Sequence, residues 1–168
     1  MAYCWVHEFP HFAWDEDGHR WDGTHNPFSG FLESDRPRMA SDPSRVRARQ
    51  DDLICNGNEL GGGSVRLHQR GDQETVFGLM GYGREELQDR FGALLDALEY
   101  SAPPHRGIAT GFDRLVMLLA GEESIREVFA FPKNQHGVDL MFDAPSAIST
   151  DQLDDVGLCL KAINTGAS

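Results

Sequence analysis

Residues 107–121 read GIATGFDRLVMLLAG, and this segment constrains the fold more than any other in the chain. Small residues open it, which favours a strand, and the apolar run that follows favours a helix. Gly107, Ala109 and Gly111 leave little side-chain bulk beside the backbone, so a flat or charged ligand has room against the strand. Arg114 falls in the first turn of the helix, where its charge adds to the positive end of the helix dipole and its planar fork suits phosphate oxygens. The segment predicts a polyphosphate site, and an exposed arginine on a core helix is the alternative.

The rest of the chain predicts an α+β domain. Asn56-Gly57 is the dipeptide that tight hairpin turns prefer, and residues 51–55 and the segment from Asn58 onward flank it as strands. Further short strands are predicted at residues 3–9, 12–14 and 107–110, and helices at residues 72–80, 84–100 and 112–121. Asp72 is the expected cap of the first helix. We expect an antiparallel sheet covered by the helices at 84–100 and 112–121.

The hairpin brings two carboxylates together. With a two-residue turn at Asn56-Gly57, Ile54 lies opposite Glu59, so Asp52 becomes a diagonal neighbour of Glu59 on the same face. Diagonal pairs are about 7–8 Å apart at Cα, and Mg²⁺ is commonly held by one or two carboxylates plus substrate phosphates. The pair therefore predicts a magnesium site, and an exposed acidic rim is the alternative.

Composition limits the classes of function. The chain has 168 residues, which is long enough for one compact domain with its own core. Its formal net charge of −12 argues against unaided nucleic-acid binding, because a phosphate backbone is normally met by a basic surface. The sequence has no apolar run of about 20 residues and no charged-then-apolar leader, so we expect a cytoplasmic protein without a membrane partner. Cys4, Cys55 and Cys159 are odd in number and lack metal-type spacing, so free thiols are expected.

Further motifs occur in one order along the chain. They are Trp5-Val6-His7-Glu8-Phe9-Pro10, His25-Asn26-Pro27-Phe28, NELGGGSVRLH from Asn58 to His68, Ala102-Pro103-Pro104-His105, Phe131-Pro132-Lys133 and Ala144-Pro145-Ser146. Together with residues 107–121 they closely resemble the C-terminal half of the catalytic domain of bacterial-type aspartyl-tRNA synthetases, which are class II enzymes. Residues 107–121 are similar to the third signature motif of that class. The resemblance covers most of the chain and implies part of a class II synthetase-like catalytic domain.

The resemblance implies a reaction and an ATP site. Such enzymes activate aspartate with ATP to an aspartyl-adenylate and then transfer the acyl group to tRNA, with Mg²⁺ bound beside the phosphates. It implies that Arg114 is the catalytic residue that holds the γ-phosphate, and that Glu59, Arg114 and Gly111 bind ATP. Asp52 and Glu59 correspond to the residues that hold Mg²⁺ through ATP.

The resemblance also implies an aspartate site at Arg66 and His25, with Asn26 standing where the family has a second histidine. Arg66 lies seven residues after Glu59, so a regular strand would direct it to the opposite face. A bulge in the run Gly61-Gly62-Gly63 would add one residue and return Arg66 to the carboxylate side. A guanidinium that pairs with a carboxylate in two hydrogen bonds would select aspartate over lysine.

The resemblance implies missing parts as well. The anticodon-binding domain and the first two class II motifs have no counterpart in residues 1–168, and the second motif supplies the arginine for the α-phosphate. The match begins about where the family resumes its catalytic domain after an inserted domain, so we expect residues 1–168 to form one partial catalytic domain. Alone it is expected to be inactive or weakly active, and to bind tRNA weakly or only with a complementary chain. An exposed sheet edge or apolar patch is expected, which favours a homo-oligomer or a complementary partner.

Three functions remain open from the sequence. The chain is a portion of an aspartate–tRNA ligase that acts with the missing parts, a stand-alone paralogue that binds an amino acid or a nucleotide, or a degenerate fragment with an interaction role. A neighbouring reading frame that carries the first two class II motifs would favour the first function. Binding of nucleotide or aspartate by the lone chain would favour the second, and no binding together with an exposed apolar face would favour the third.

Overall fold

The computed structural model describes residues 1–161 of the 168-residue chain. The strands are β1 (Tyr3–His7), β2 (Phe12–Asp15), β3 (Arg20–Gly23), β4 (Gln50–Cys55), β5 (Asn58–Val65) and β6 (Arg106–Thr110). The α-helices are α1 (Arg38–Ser41), α2 (Arg70–Leu79), α3 (Arg84–Glu99), α4 (Phe112–Ala120) and α5 (Thr150–Asp155). Short 3₁₀ turns lie at Glu33–Asp35, Pro43–Arg45 and Ile125–Glu127.

The main sheet is antiparallel, with the strand order β1-β4-β5-β6, and β2 pairs with β3 in a separate hairpin. The predicted α+β class with an antiparallel sheet is confirmed. Asn56 and Gly57 both have positive φ, 49° and 81°, which is the backbone that a two-residue hairpin turn requires. Ile54 lies opposite Glu59 as predicted. The first strand ends at His7 rather than at residue 9, because Glu8 adopts a positive φ of 58° and leaves the extended conformation.

A β-bulge in β5 sets the direction of every side chain after it. Ile54 pairs with Glu59 but Leu53 pairs with Gly61, so Leu60 has no opposite residue in β4. The bulge therefore lies at Leu60, one residue before the glycine run in which it was predicted. Leu60 is buried and its carbonyl accepts a hydrogen bond from Gly111 N at 2.7 Å, so this extra residue is tied to the segment after β6.

Two glycines of β5 allow the close approach of β6. A Cβ atom at Gly63 would lie 2.1 Å from Gly107 O, and one at Gly61 would lie 2.9 Å from Ala109 O. Any larger residue would push the strands apart, because real Cβ atoms do not approach a carbonyl oxygen this closely. The glycine run therefore serves sheet pairing, and the bulge beside it changes which side chains face the same way.

Helix α3 faces both a neighbouring helix and the side of the sheet at β6. Its contact with α2 includes a cluster of buried and half-buried rings and leucines: Phe28, Phe77, Tyr82, Leu87, Phe91 and Leu95. A cavity of about 490 Å³ lies between the α3 residues Leu94 and Leu98 and the β6 residue Gly107. Helix α4 contacts β5, as predicted for that helix. The two predicted helices therefore flank the sheet, with α4 in contact with β5 and α3 facing β6 across the cavity.

Asp72 does not cap α2. The helix begins at Arg70, two residues earlier, and its N-cap residue Gln69 makes no side-chain cap. The Asp72 carboxylate instead accepts a hydrogen bond from Arg36 Nη1 at 2.6 Å. The Asp72 carboxylate that was predicted to cap the helix therefore forms a long-range ion pair with Arg36 instead.

Apolar side chains are exposed on the α4 and β6 side of the molecule. Ile108, Phe112 and Leu119 are 55%, 72% and 68% exposed, and β6 is an edge strand of the sheet. In α4 only Met117 is buried. The predicted exposed sheet edge with an apolar patch is therefore present. Within residues 1–161 no helix has the length and apolar character needed to cross a bilayer.

Candidate functional site

A polar cavity of about 270 Å³ opens on the bulged face of the β4–β5 hairpin. Its floor consists of side chains from β4 and from β5 and the residues after it, and the segment before Phe28 forms one wall. The polar side chains that line it are His25, Asn26, Gln50, Asp52, Glu59, Ser64 and Arg66. Asp52, Glu59 and Arg66 thus open into one cavity, as predicted from the sequence.

The bulge at Leu60 is the reason for this convergence. In a regular strand Glu59 would share a face with Gly61 and Gly63, while Arg66 would lie on the other face. The extra residue places Glu59 on the face of Gly62 and Arg66. The cavity therefore has carboxylates at one end and a guanidinium at the other.

The two carboxylates meet over Gly62. A Cβ atom at Gly62 would lie 2.6 Å from Asp52 Oδ1 and 3.1 Å from Glu59 Oε1, so both oxygens surround the same point. Asp52 is buried, and its Oδ1 has no hydrogen-bond partner among the described residues. A buried carboxylate oxygen without a donor is strongly disfavoured unless a cation or a ligand donor completes it. The oxygen ligands suit Mg²⁺, which takes one or two carboxylates and fills its remaining positions with phosphate oxygens and water. In residues 1–161 no group of three or more His, Cys, Asp or Glu side chains is arranged to hold a metal by itself.

Arg66 is held at the other end of the cavity by Asn26. Arg66 Nη1 donates to Asn26 Oδ1 at 3.0 Å, and the same oxygen accepts hydrogen bonds from Phe28 N at 3.0 Å and Ser29 Oγ at 3.2 Å. Ser29 Oγ also donates to Ser64 Oγ at 2.8 Å in a buried contact. The Asn26 amide thus fixes the guanidinium through one of its nitrogens and leaves the others for an anionic ligand.

His25 lines the cavity from its wall, with an exposed ring that packs edge-on against Phe9 at a centroid distance of 4.9 Å. This position allows the ring to approach a ligand beside Arg66.

Arg114 lies behind the carboxylate end and does not line the cavity. It is in the first turn of α4, and its Nη1 donates to Glu59 O at 3.0 Å and to Glu59 Oε2 at 3.4 Å. Gly111 immediately precedes the helix, and its N–H donates to Leu60 O. Both residues therefore border the same bulged segment. The Arg114–Glu59 pair is 46% exposed on each side, so it contributes little to stability, roughly 0–1 kcal/mol.

Two cavity residues were missed at the sequence level, Gln50 and Ser64. Each lies two residues before a predicted site residue, Gln50 before Asp52 and Ser64 before Arg66. Because successive side chains of a strand alternate between faces, this spacing alone places them on the cavity side.

A buried histidine lies outside the cavity. His11 packs against Phe12 and Phe31, with ring centroids 4.5 Å and 6.4 Å away, and neither of its ring nitrogens has a hydrogen-bond partner in the described part of the chain. Burial lowers the pKa of His11 to about 4, because desolvation disfavours the imidazolium form. His11 is therefore neutral at pH 7 and belongs to the core.

Comparison with known proteins gives a consistent result. A family model described as tRNA synthetases class II (D, K and N) matches residues 1–135. An Aspartate–tRNA(Asp/Asn) ligase of Dehalococcoides mccartyi (strain CBDB1) is 52% identical over 162 residues, which are 96% of this chain and 27% of that protein. An Aspartate–tRNA ligase of Enterococcus faecalis (strain ATCC 700802 / V583) is 49% identical over 162 residues, 96% of this chain and 28% of that protein. The chain thus spans about a quarter of the length of these curated relatives.

Solved structures share the fold. An aspartyl tRNA synthetase from Entamoeba histolytica superposes with a TM-score of 0.59 at 18% identity, over 82% of this chain and 23% of that one. An asparaginyl-tRNA synthetase from Pyrococcus horikoshii gives a TM-score of 0.57 at 20% identity, over 79% of this chain and 26% of that one.

Proposed function

Because the chain belongs to the class II tRNA synthetases of the D, K and N group, we propose that it forms the part of an aspartate–tRNA ligase catalytic domain that binds aspartate and ATP·Mg²⁺. Residues 107–121 are its third signature motif, and residues 1–168 form one partial catalytic domain. The observation that carries this proposal is the bulge at Leu60, which brings Asp52, Glu59 and Arg66 into one cavity.

The aspartate end is Arg66. Its guanidinium is held by Asn26 through Nη1, and the other guanidinium nitrogens make no hydrogen bond within residues 1–161, so they can pair with the side-chain carboxylate of aspartate. His25 on the cavity wall borders the same ligand. A guanidinium rejects a cationic lysine side chain, so this end supplies the selection for an acidic amino acid.

The nucleotide end comprises Asp52, Glu59, Gly111 and Arg114. Asp52 and Glu59 would hold Mg²⁺ by their convergent oxygens, and the bound ion would neutralise charge on the ATP phosphates. Arg114 uses only Nη1 within the described residues, so Nε and Nη2 are available to the γ-phosphate. Gly111 carries no side chain and leaves the backbone beside Arg114 open to ATP.

Catalysis in this proposal rests on positioning and charge neutralisation, without a covalent enzyme intermediate. The α-carboxylate of aspartate attacks the α-phosphorus of ATP and pyrophosphate leaves. A terminal hydroxyl of tRNA then attacks the carbonyl carbon of the adenylate, and AMP leaves. The arginine for the α-phosphate has no candidate in this chain. We therefore propose that residues 1–168 bind both small ligands but contribute adenylation activity only together with the rest of a synthetase.

The net charge of −12 and the exposed apolar patch bear on partners. An acidic chain binds the tRNA backbone weakly by itself, so we propose that tRNA is bound only with a complementary chain or as part of a longer protein. The patch around Phe112 and Leu119 would then contact that partner or a second copy. A cytoplasmic location follows from a role in tRNA charging.

Calorimetric titration of the purified chain with L-aspartate, and separately with ATP·Mg²⁺, tests this function. We expect the wild-type chain to bind L-aspartate. Arg66→Leu should weaken this binding by at least about tenfold to a hundredfold, which corresponds to one hydrogen bond between charged groups, because up to two such bonds are lost. Arg90→Leu on the exposed face of α3 is the matched control and should leave the affinity unchanged. Absence of binding by both ligands, or equal losses in the two variants, would refute the proposed site.

A further inference from the structure

Gln50 occupies the middle of the cavity floor. It pairs with Ser64 in the β4–β5 register, and the next rung on the same face pairs Asp52 with Gly62. Arg66 lies two residues beyond Ser64 on the opposite side of this rung. Gln50 therefore lies between the guanidinium end and the carboxylate end, and each neighbouring rung is about 6.6–7 Å away along the strand.

The Gln50 amide oxygen is buried without a partner in the described part of the chain. The residue is 7% exposed, and its Oε1 makes no hydrogen bond within residues 1–161. Arg66, a strong donor that lines the same cavity, directs its Nη1 to Asn26. By contrast Gln73, the other deeply buried glutamine, donates its Nε2 to Pro27 O at 2.7 Å. A buried amide oxygen without a donor is destabilising, so a ligand that supplies a donor at this position is bound more tightly.

The surroundings select the kind of donor. Asp52 lies one rung from Gln50 and lines the same cavity, so its carboxylate adds negative charge beside the Gln50 amide. Two adjacent acceptors, one of them a carboxylate, favour a positively charged donor and disfavour an anion. An ammonium group meets both requirements, because it carries three hydrogens and one positive charge.

We infer that Gln50 is a ligand-binding residue whose side-chain carbonyl accepts a hydrogen bond from the α-ammonium group of the bound amino acid, next to Asp52. This inference rests on the proposed function, since it requires the carboxylate of the same ligand to lie on Arg66. A small amino acid anchored there has its ammonium group within a few ångströms of that carboxylate, in the direction of the Gln50 rung. Gln50 thereby distinguishes an amino acid from the corresponding dicarboxylic acid.

Succinate is the matched probe, because it has the two carboxylates of aspartate but no ammonium group. Calorimetric affinities for L-aspartate and succinate are compared in the wild-type chain, in Gln50→Met, in Gln50→Glu and in Gln88→Met. Methionine keeps the unbranched shape of glutamine without an amide, and Gln88 is an exposed residue of α3 outside the cavity. Thermal unfolding of each variant reports whether it folds.

We expect the wild-type chain to bind L-aspartate more tightly than succinate. Gln50→Met should weaken L-aspartate by about tenfold to a hundredfold and leave succinate unchanged, since only the ammonium contact is lost. Gln50→Glu keeps the acceptor, so it should retain or increase the preference for L-aspartate, and Gln88→Met should alter neither affinity.

Two results overturn the inference alone: equal weakening of both ligands by Gln50→Met, or a wild-type chain that binds both ligands equally. If Gln50→Met does not fold, a reduced preference in Gln50→Glu overturns it. Binding of neither ligand by the wild-type chain overturns the proposed aspartate site, and the role of Gln50 with it.

Discussion

Replacement of Arg114 tests the nucleotide end of the proposed site. Arg114 stands in the first turn of α4, with Nη1 engaged by Glu59 O at 3.0 Å. This contact holds the guanidinium beside the carboxylate end while two nitrogens remain for phosphate. Arg114→Ala removes the phosphate contact and also the exposed pair with Glu59.

The two losses have different sizes and different readouts. A hydrogen bond to a charged group contributes about 1.5–3 kcal/mol, so ATP·Mg²⁺ affinity should fall by about tenfold to a hundredfold. The exposed Arg114–Glu59 ion pair contributes about 0–1 kcal/mol to stability, so its loss should lower the free energy of unfolding by at most about 1 kcal/mol. Arg114→Lys should recover part of the affinity, because an ammonium keeps the charge but not the planar fork.

The assay is calorimetric titration with ATP·Mg²⁺, accompanied by urea unfolding of each variant. Arg84→Ala is the control, since Arg84 is an exposed arginine at the start of α3, away from the cavity. Equal weakening by Arg114→Ala and Arg84→Ala would show that ATP binding reflects general charge, and the assignment of Arg114 to the γ-phosphate would then be wrong.

Three further predictions concern the carboxylate pair, the buried histidine and the apolar patch. Gly62→Ala places a Cβ atom 2.6 Å from Asp52 Oδ1 and 3.1 Å from Glu59 Oε1, so the calorimetric affinity for ATP·Mg²⁺ should fall by about tenfold. Gly107→Ala is the control, because its Cβ atom meets open space and should not change this affinity. The pKa of His11 is about 4 in the folded chain and 6.5 when the ring is exposed. The free energy of unfolding should therefore be highest above pH 6.5 and should fall by about 3 kcal/mol as the pH drops toward 4, because only the unfolded chain binds the proton in this range. In urea unfolding at several pH values His11→Phe should remove that dependence, and an unchanged slope would contradict the burial of a neutral imidazole. In sedimentation velocity the wild-type chain should self-associate through the apolar patch, and the double variant Phe112→Ser, Leu119→Ser should associate less. A strictly monomeric wild-type chain at high concentration would contradict this expectation.

Local sequence was sufficient for the β4–β5 hairpin and its carboxylates. Asn56-Gly57 adopts the two positive φ angles of a tight turn, and this turn sets the pairing of Ile54 with Glu59 without help from the rest of the chain. The helical stripe of α3 was likewise readable, because burial at 3.6-residue spacing is a property of the segment itself. The contact of this stripe with α2 could not be predicted from the sequence, since α2 and the sheet offer apolar surfaces of similar character.

Longer-range contacts decided the remaining features of the site. The sequence indicated that some irregularity near the glycine run was needed, but the bulge lies at Leu60 because its carbonyl pairs with Gly111, some 50 residues later in the chain. The hold of Asn26 on Arg66 joins residues that are 40 apart in sequence, so no local pattern could reveal it. The missed contribution of Gln50 has the same origin. Alternation places its side chain on the cavity face, but only the packed sheet shows that its amide oxygen has no partner within residues 1–161.

The sequence by itself therefore determined the turn, the strand and helix periods and the residue types that suit phosphate, magnesium and carboxylate. These follow from backbone preferences and side-chain chemistry within a few residues. Only the tertiary structure decided which face Arg66 takes, which residue orients it and which helix contacts α3. Those outcomes depend on contacts between distant segments, whose alternatives are too close in local energy for sequence pattern to separate.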